Sequence, residues 1–208
     1  MPKRVDHQER REHIAMALMR VAAAQGLESV SVRHVASEAG VTTGMVQHYF
    51  PSKDAMMQFA MDTASAGFEQ RITVAVDALG EGPSARDLVG AVLTTLMRTS
   101  DPGVAGDGRV ALAFMAYAAS RPTVAAGLER SNAALRDFIA SQVRIAISEG
   151  LAPASLDPES AAVTLTALTD GLAVQMLSSN LSLETATAVL EAQLDRTFTS
   201  EHPRQESP

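Results

Sequence analysis

Two short helical patterns joined at a glycine, within residues 31–54 (SVRHVASEAGVTTGMVQHYFPSKD), constrain the fold of this chain more than any other feature. Val32, Val35, Ala36 and Ala39 recur at helical spacing behind Ser31, whose hydroxyl is suited to cap the amides of a first turn. Gly40 ends that helix, because glycine enters a left-handed turn without steric strain. Thr42 caps a second helix, which buries Val46 and Phe50 one turn apart and leaves Thr43, Gly44, Met45, Gln47, His48 and Tyr49 largely outward. Pro51 closes it. A helix this short is not stable alone, so its purpose lies in what it presents to a partner. Such a unit is a helix-turn-helix, and it points to DNA.

The stretch GLESVSVRHVASEAGVTTGMVQHYFPSKDAM combines a glycine-valine turn, a capping hydroxyl, a second glycine, an aromatic pair and a lysine opening the next helix. With its flanks, over roughly residues 8–66, it resembles the tetracycline-repressor (TetR) family of bacterial transcription regulators. The resemblance implies an all-α protein. Residues 1–52 form a three-helix helix-turn-helix domain, residues 53–200 a helical effector-binding and dimerisation domain, and residues 201–208 a polar tail. It also implies a homodimeric, ligand-responsive regulator: a repressor that binds a palindromic double-stranded operator and is released by a small molecule. Beyond about residue 80 the chain shows only compatible helical periodicity.

Composition agrees with helices. Apolar residues make up 46% of the 208 but aromatics only 4%, and Ala, Leu and Val dominate with few strand-like alternations. The chain has no cysteine, which excludes disulfides and thiolate metal sites. The net charge of −7 argues against a DNA partner until its distribution is considered. Residues 1–54 carry seven Lys+Arg against six Asp+Glu, or +1, and four of the five histidines; residues 55–208 carry ten against eighteen, or −8. Local sign governs counterion release at a phosphate backbone, and an acidic remainder orients the molecule. The N-terminus, MPKRVDHQERREHI, lacks the apolar run of a secretory signal, and the longest nearly unbroken apolar stretch, residues 110–119, is too short to span a bilayer. The expected location is the cytoplasm, with no membrane partner.

Helical spacing predicts a first helix over residues 6–25 with Ile14, Ala17, Leu18, Val21 and Ala22 on one face. A helix from Lys53 to about Ala78, with Met57, Ala60, Met61, Ala64 and Phe68 in register, links the two parts. Ser84 with Asp87 caps a helix ending near Arg98, and residues 101–108, rich in Gly and Pro, read as a loop. A further apolar helix covers residues 109–119. Pro122 opens a long one ending at Gly150, with Leu128, Leu135, Phe138, Ile139, Gln142, Val143 and Ala146 inward. Asp157-Pro158-Glu159 starts another, with Ala161, Thr164, Leu168, Gly171, Leu172 and Gln175 on one stripe, and the last spans residues 182–199 with Leu183, Ala186, Leu190 and Leu194 in register. These two stripes suit either the monomer's own core or, as the resemblance implies, a four-helix homodimer interface made by the last two long helices. The tail HPRQESP reads as disordered.

An α-helix fits the major groove and reads base edges with its N-terminal residues. The family pattern places Thr43, Gly44 and Met45 nearest the bases, with Gln47, His48, Tyr49 and Lys53 mostly on phosphates. Ser31 presents its backbone amide to another phosphate, where the helix dipole favours an anion. Family members often carry an aromatic where this chain has Gln47; the glutamine trades a phosphate contact for a possible bidentate pair with adenine. Tyr49 also suits packing on the small domain, and His48 simple solvation. At Lys53 a cation opposes the helix dipole, which favours a phosphate partner.

The family's effector cavity lies among the middle helices, and Phe68, Phe114, Met115, Tyr117, Phe138 and Met176 are the candidates for a largely apolar lining. Singly, each also reads as ordinary core. A buried Tyr117 hydroxyl requires a partner. The HYF string after Thr-Thr-Gly resembles the choline-responsive branch, but few aromatics are present to cage a quaternary ammonium. No cofactor, metal site or catalytic residue is expected. An all-α enzyme finds no support: His7 and His13 lie on different helix faces, no HExxH, Walker or GxSxG spacing occurs, and capping explains Asp157 and Glu159. A dimeric small-molecule binder without operator recognition is the other reading.

Overall fold

The computed structural model describes residues 2–98, 107–119 and 121–199, and among these it contains nine α-helices, one 3-10 turn and no strand. In chain order the helices are α1 (Pro2–Gln25), α2 (Val32–Glu38), α3 (Thr43–Tyr49), α4 (Lys53–Asp77), α5 (Ala85–Arg98), α6 (Asp107–Ala118), α7 (Pro122–Ser148), α8 (Pro158–Ser178) and α9 (Leu183–Thr197). Two compact units arise. The first takes residues 1–71 and 102–128, the second residues 72–101 and 129–208.

The first unit is built on α1. Its face Ile14, Ala17, Leu18, Val21 and Ala22 is fully buried, as the spacing predicts, against Val35 and Ala36 of α2, Val46 and Phe50, Met56, Met57, Ala60 and Met61 of α4, and Phe114, Tyr117 and Ala118 of α6. Further along α4, Ala64 and Phe68 are only half-buried, whereas Met56, outside the predicted stripe, is sealed. Polar ties fix the register of α1 on α2: His13 donates from Nε2 to the Ala39 carbonyl at 2.9 Å, and Arg20 pairs with Glu38 at 2.6 Å. The first tie satisfies a carbonyl at the end of α2 that the helix itself leaves open.

In the second unit α5, α8 and α9 pack on one another and on Ile139, Val143 and Ala146 of α7. Leu128, Leu135, Phe138 and Gln142, the rest of the predicted α7 face, are half-buried. Gly90 lets α5 approach α9: a Cβ there would lie 3.3 Å from Leu194 Cδ1. At the rim Arg86 forks onto Glu191 and Asp195, at 2.5 and 2.6 Å, and the two carboxylates hold its guanidinium above the usual range against the opposing effect of burial.

The buried stripe of α8 differs from the one read in the sequence. Ala161 and Leu172 are inside, but Thr164 and Gln175 are exposed, and the core takes Ala162, Leu165, Thr166, Thr169 and Met176 instead. The reason lies in two threonines. The hydroxyls of Thr166 and Thr169 donate to the carbonyls of Ala162 and Leu165 one turn back, at 2.8 and 2.9 Å, so both bury without an unmet polar group. By length and composition alone α8 could cross a membrane, which the unbroken run of residues 110–119 could not; here it packs against α5 and α9. Residues 101–106 of the predicted loop, and the tail from residue 201, lie outside the described residues, while Asp107 and Gly108 already belong to α6.

Candidate nucleic-acid interface

Every local device in residues 31–54 serves to place α3. Ser31, in extended backbone, accepts from the His34 amide at 3.2 Å and starts α2. At the other end Gly40 takes φ 65°, its amide returns to Ser37 O at 3.2 Å, and the Val41 amide reaches Ala36 O at 2.9 Å. This paired closure turns the chain sharply and satisfies two carbonyls that α2 leaves open. Thr42 then accepts from the Met45 amide at 3.2 Å and starts α3. After Phe50 the chain restarts at Ser52, whose hydroxyl accepts from the Ala55 amide at 3.1 Å and caps α4. That cap was legible in the sequence as Ser-Lys-Asp but was passed over in favour of the charges of Lys53 and Asp54.

Two anchors hold α3 down. Val46 is wholly buried and Phe50 nearly so, and the Arg11 guanidinium lies over the Phe50 and Phe59 rings at 5.3 and 4.1 Å from their centroids. The opposite face shows Thr43, Gly44, Gln47 and His48 to solvent. Met45 and Tyr49 flank the anchors and are half-buried, less outward than their spacing suggested. Tyr49 packs its ring against His7 of α1 and His48 of α3. Ser31 and Lys53 are half-buried at the heads of α2 and α4, and Thr42 is exposed.

The six candidate effector residues separate. Phe114 and Tyr117 sit in the core of the first unit; Phe68 is half-buried beneath Arg71; Met115 is 47% exposed on α6. In the second unit Met176 is core, and Phe138 packs against it. A surface hollow of about 600 Å³ in that unit, lined by Gly82, Ser84, Leu88, Gln142, Ile145 and Glu149 among others, includes none of the six.

Tyr117 has the partner its burial demands. Its hydroxyl donates to Asp54 Oδ1 at 2.9 Å, and the Arg121 guanidinium covers its ring at 3.7 Å. Burial first, then the Asp54 carboxylate, push the phenol above its ordinary range, with Arg121 opposing. The bond joins α6 to the first turn of α4, four residues beyond Phe50. Among the described residues no group of three or more His, Asp and Glu is arranged to hold a metal ion. Asp157 accepts from the Ser160 amide at 2.9 Å, and Glu159 pairs with Arg144, so both carboxylates have structural duties.

Residues 14–58 match the bacterial regulatory proteins of the tetR family, and residues 83–199 match the C-terminal domain of BetI-type transcriptional repressors. The chain is 42% identical over 72 residues to the HTH-type transcriptional regulator PksA of Bacillus subtilis, and 30% identical over 125 residues to the HTH-type transcriptional regulator BetI 2 of Chromohalobacter salexigens. These alignments span 35% and 59% of the two relatives, and 35% and 60% of this chain. A crystal structure of a transcriptional regulator from Rhodococcus sp. Rha1 superposes with a TM-score of 0.77 at 29% identity, covering 90% of this chain and 95% of that one. With a helix-turn-helix at one end and a repressor-type helical domain matched over more than half its length, the chain belongs to the TetR family of bacterial regulatory proteins.

Proposed function

We propose that this protein is a transcriptional regulator that represses by binding a palindromic DNA operator as a homodimer and lets go when a small molecule binds. Proteins of this family bind DNA operators and small-molecule effectors and are usually dimers, and they are regulators rather than enzymes. The observation that carries the proposal is α3. Too short to persist alone, it is capped by Thr42, pinned by Val46 and Phe50, and open along Thr43, Gly44, Gln47 and His48.

In this proposal residues 1–52 are the DNA-binding domain, residues 53–200 bind effector and partner, and residues 201–208 are a tail. Thr43, Gly44 and Met45 meet base edges; Ser31, Thr42, Gln47, His48, Tyr49 and Lys53 hold the backbone, with Gln47 able to reach adenine. The second copy docks through α8 and α9. In support, Val163 and Val174 on α8 and Val189 on α9 are 54%, 41% and 42% exposed, large apolar side chains that a partner helix pair would cover. A two-fold dimer sets its half-sites about 34–36 Å apart, or a multiple of that. Phe68, Phe114, Met115, Tyr117, Phe138 and Met176 remain the proposed effector contacts, and the site of action is the cytoplasm.

The test is fluorescence anisotropy with palindromic fragments from the DNA upstream of the gene. Saturable binding that collapses in a Tyr49→Ala, Lys53→Ala double variant supports the proposal. Unchanged affinity in that variant favours a helical small-molecule binder with only nonspecific DNA contacts.

A further inference from the structure

Three rings meet at the last turn of α3. Tyr49 makes an edge contact with His48, 5.2 Å between centroids at 77°, and a second with His7 of α1, 4.7 Å at 63°. Both imidazoles are exposed and Tyr49 is half-buried, so the phenol ring is a wall with a histidine on either side. His48 shares the open face of α3 with Thr43, Gly44 and Gln47, and the His7 contact brings the first turns of α1 beside that face.

We propose that His7 and His48, held on the Tyr49 ring, form a phosphate-binding limb that carries the operator contact from α3 onto α1. This rests on the DNA-binding reading above. A staple between α1 and α3 needs only an apolar ring, which Phe or Leu would supply. An exposed histidine adds N–H donors and, when protonated, a charge. An imidazole ordinarily titrates near pH 6.5, and an adjoining phosphate favours its charged form.

The effect is large in proportion to what the head otherwise has. Residues 1–54 carry a formal charge of +1, from seven basic and six acidic residues, and protonation of His7 and His48 raises it to +3. Each phosphate neutralised steepens the dependence of affinity on salt by about 0.9 in log–log slope, so two add about 1.8. The other ionisable groups on the elements around the trio are Glu9, Arg10 and Arg11 on α1 and Lys53 and Asp54 at the head of α4. Arg11 lies over Phe50 and Phe59, and Asp54 accepts from Tyr117.

The experiment measures anisotropy of the full-length protein on its upstream palindrome at about pH 6 and about pH 8, over a salt series. The unaltered protein binds about tenfold tighter at the lower pH, with a slope steeper by nearly two. His7→Gln loses about half of both responses, and His7→Gln with His48→Gln loses all. His7→Phe keeps the packing on Tyr49 but behaves as His7→Gln, and His7→Arg gains about one unit of slope at the higher pH. If His7→Phe retains the full pH response and slope, the contact is packing alone and the inference is overturned. Absence of DNA binding by the unaltered protein at either pH sinks the operator reading itself, a result distinct from the first.

Discussion

Gly44 lies on the open face of α3 in ordinary helical backbone, and a Cβ built there meets only Thr42 Oγ1, at 3.9 Å. Nothing in the fold requires glycine at that position. Gly44→Ala therefore raises stability by about 0.5–1 kcal/mol, because glycine in a helix gives up more chain entropy than alanine. If Gly44 is where the DNA backbone or a base edge comes closest, the same change weakens operator binding. Thermal melts and anisotropy on one variant read both effects, and higher stability with undiminished affinity argues against a close approach at Gly44. Tyr117 carries a second prediction. Its phenol is raised in the folded state, so the folded protein holds that proton more tightly than the unfolded chain does. The stabilisation is complete below about pH 10, the ordinary tyrosine value, and is lost as pH rises through the raised one. Tyr117→Phe removes this alkaline loss, seen as a flatter stability curve in urea melts above about pH 9.

At the scale of elements, caps decide where helices begin. Ser84 and Asp87 bond reciprocally, with Ser84 Oγ donating to Asp87 Oδ2 at 2.7 Å and the Asp87 amide donating to Ser84 Oγ at 3.2 Å. Asp157 does the same service for α8 alone. Its bonds to Ser160 hold the carboxyl below its usual range, so the cap's contribution is present above the ordinary carboxylate range and is lost as pH falls through the lowered value. Asp157→Ala lowers the melting temperature at neutral pH and makes no difference in strong acid. An equal deficit at both would mean the side chain acts through packing rather than charge. For α3 the elements that matter are its anchors. Phe50→Ala empties a site shared by α1, α3 and α4 at a cost of about 3–5 kcal/mol, comparable to the whole stability of a small domain. Hydrogen exchange in residues 31–54 should accelerate while α8 and α9 stay protected.

For the whole molecule the open question is assembly. The exposed valines of α8 and α9 make the prediction direct: Val163→Glu with Val174→Glu leaves a folded monomer by light scattering, since neither side chain contributes to the core. Operator affinity then falls by more than about tenfold, because a single head loses the avidity of two. A variant that remains dimeric places the interface elsewhere.

Local chemistry was readable before any coordinates. The capping hydroxyls Ser31, Thr42 and Asp157, the left-handed Gly40 and the anchors Val46 and Phe50 act over four residues or fewer, so spacing alone determined α2, the turn and α3. Two kinds of fact needed the tertiary structure. One is the choice among competing faces, as on α8, where apolar residues run round most of the helix and Thr166 and Thr169 become core by bonding to their own backbone. The other is who meets whom across long separations: Tyr117 with Asp54, and His7 with Tyr49. Helical periodicity tells which side of a helix is apolar, but the neighbour it turns toward is set by the packing of the whole chain.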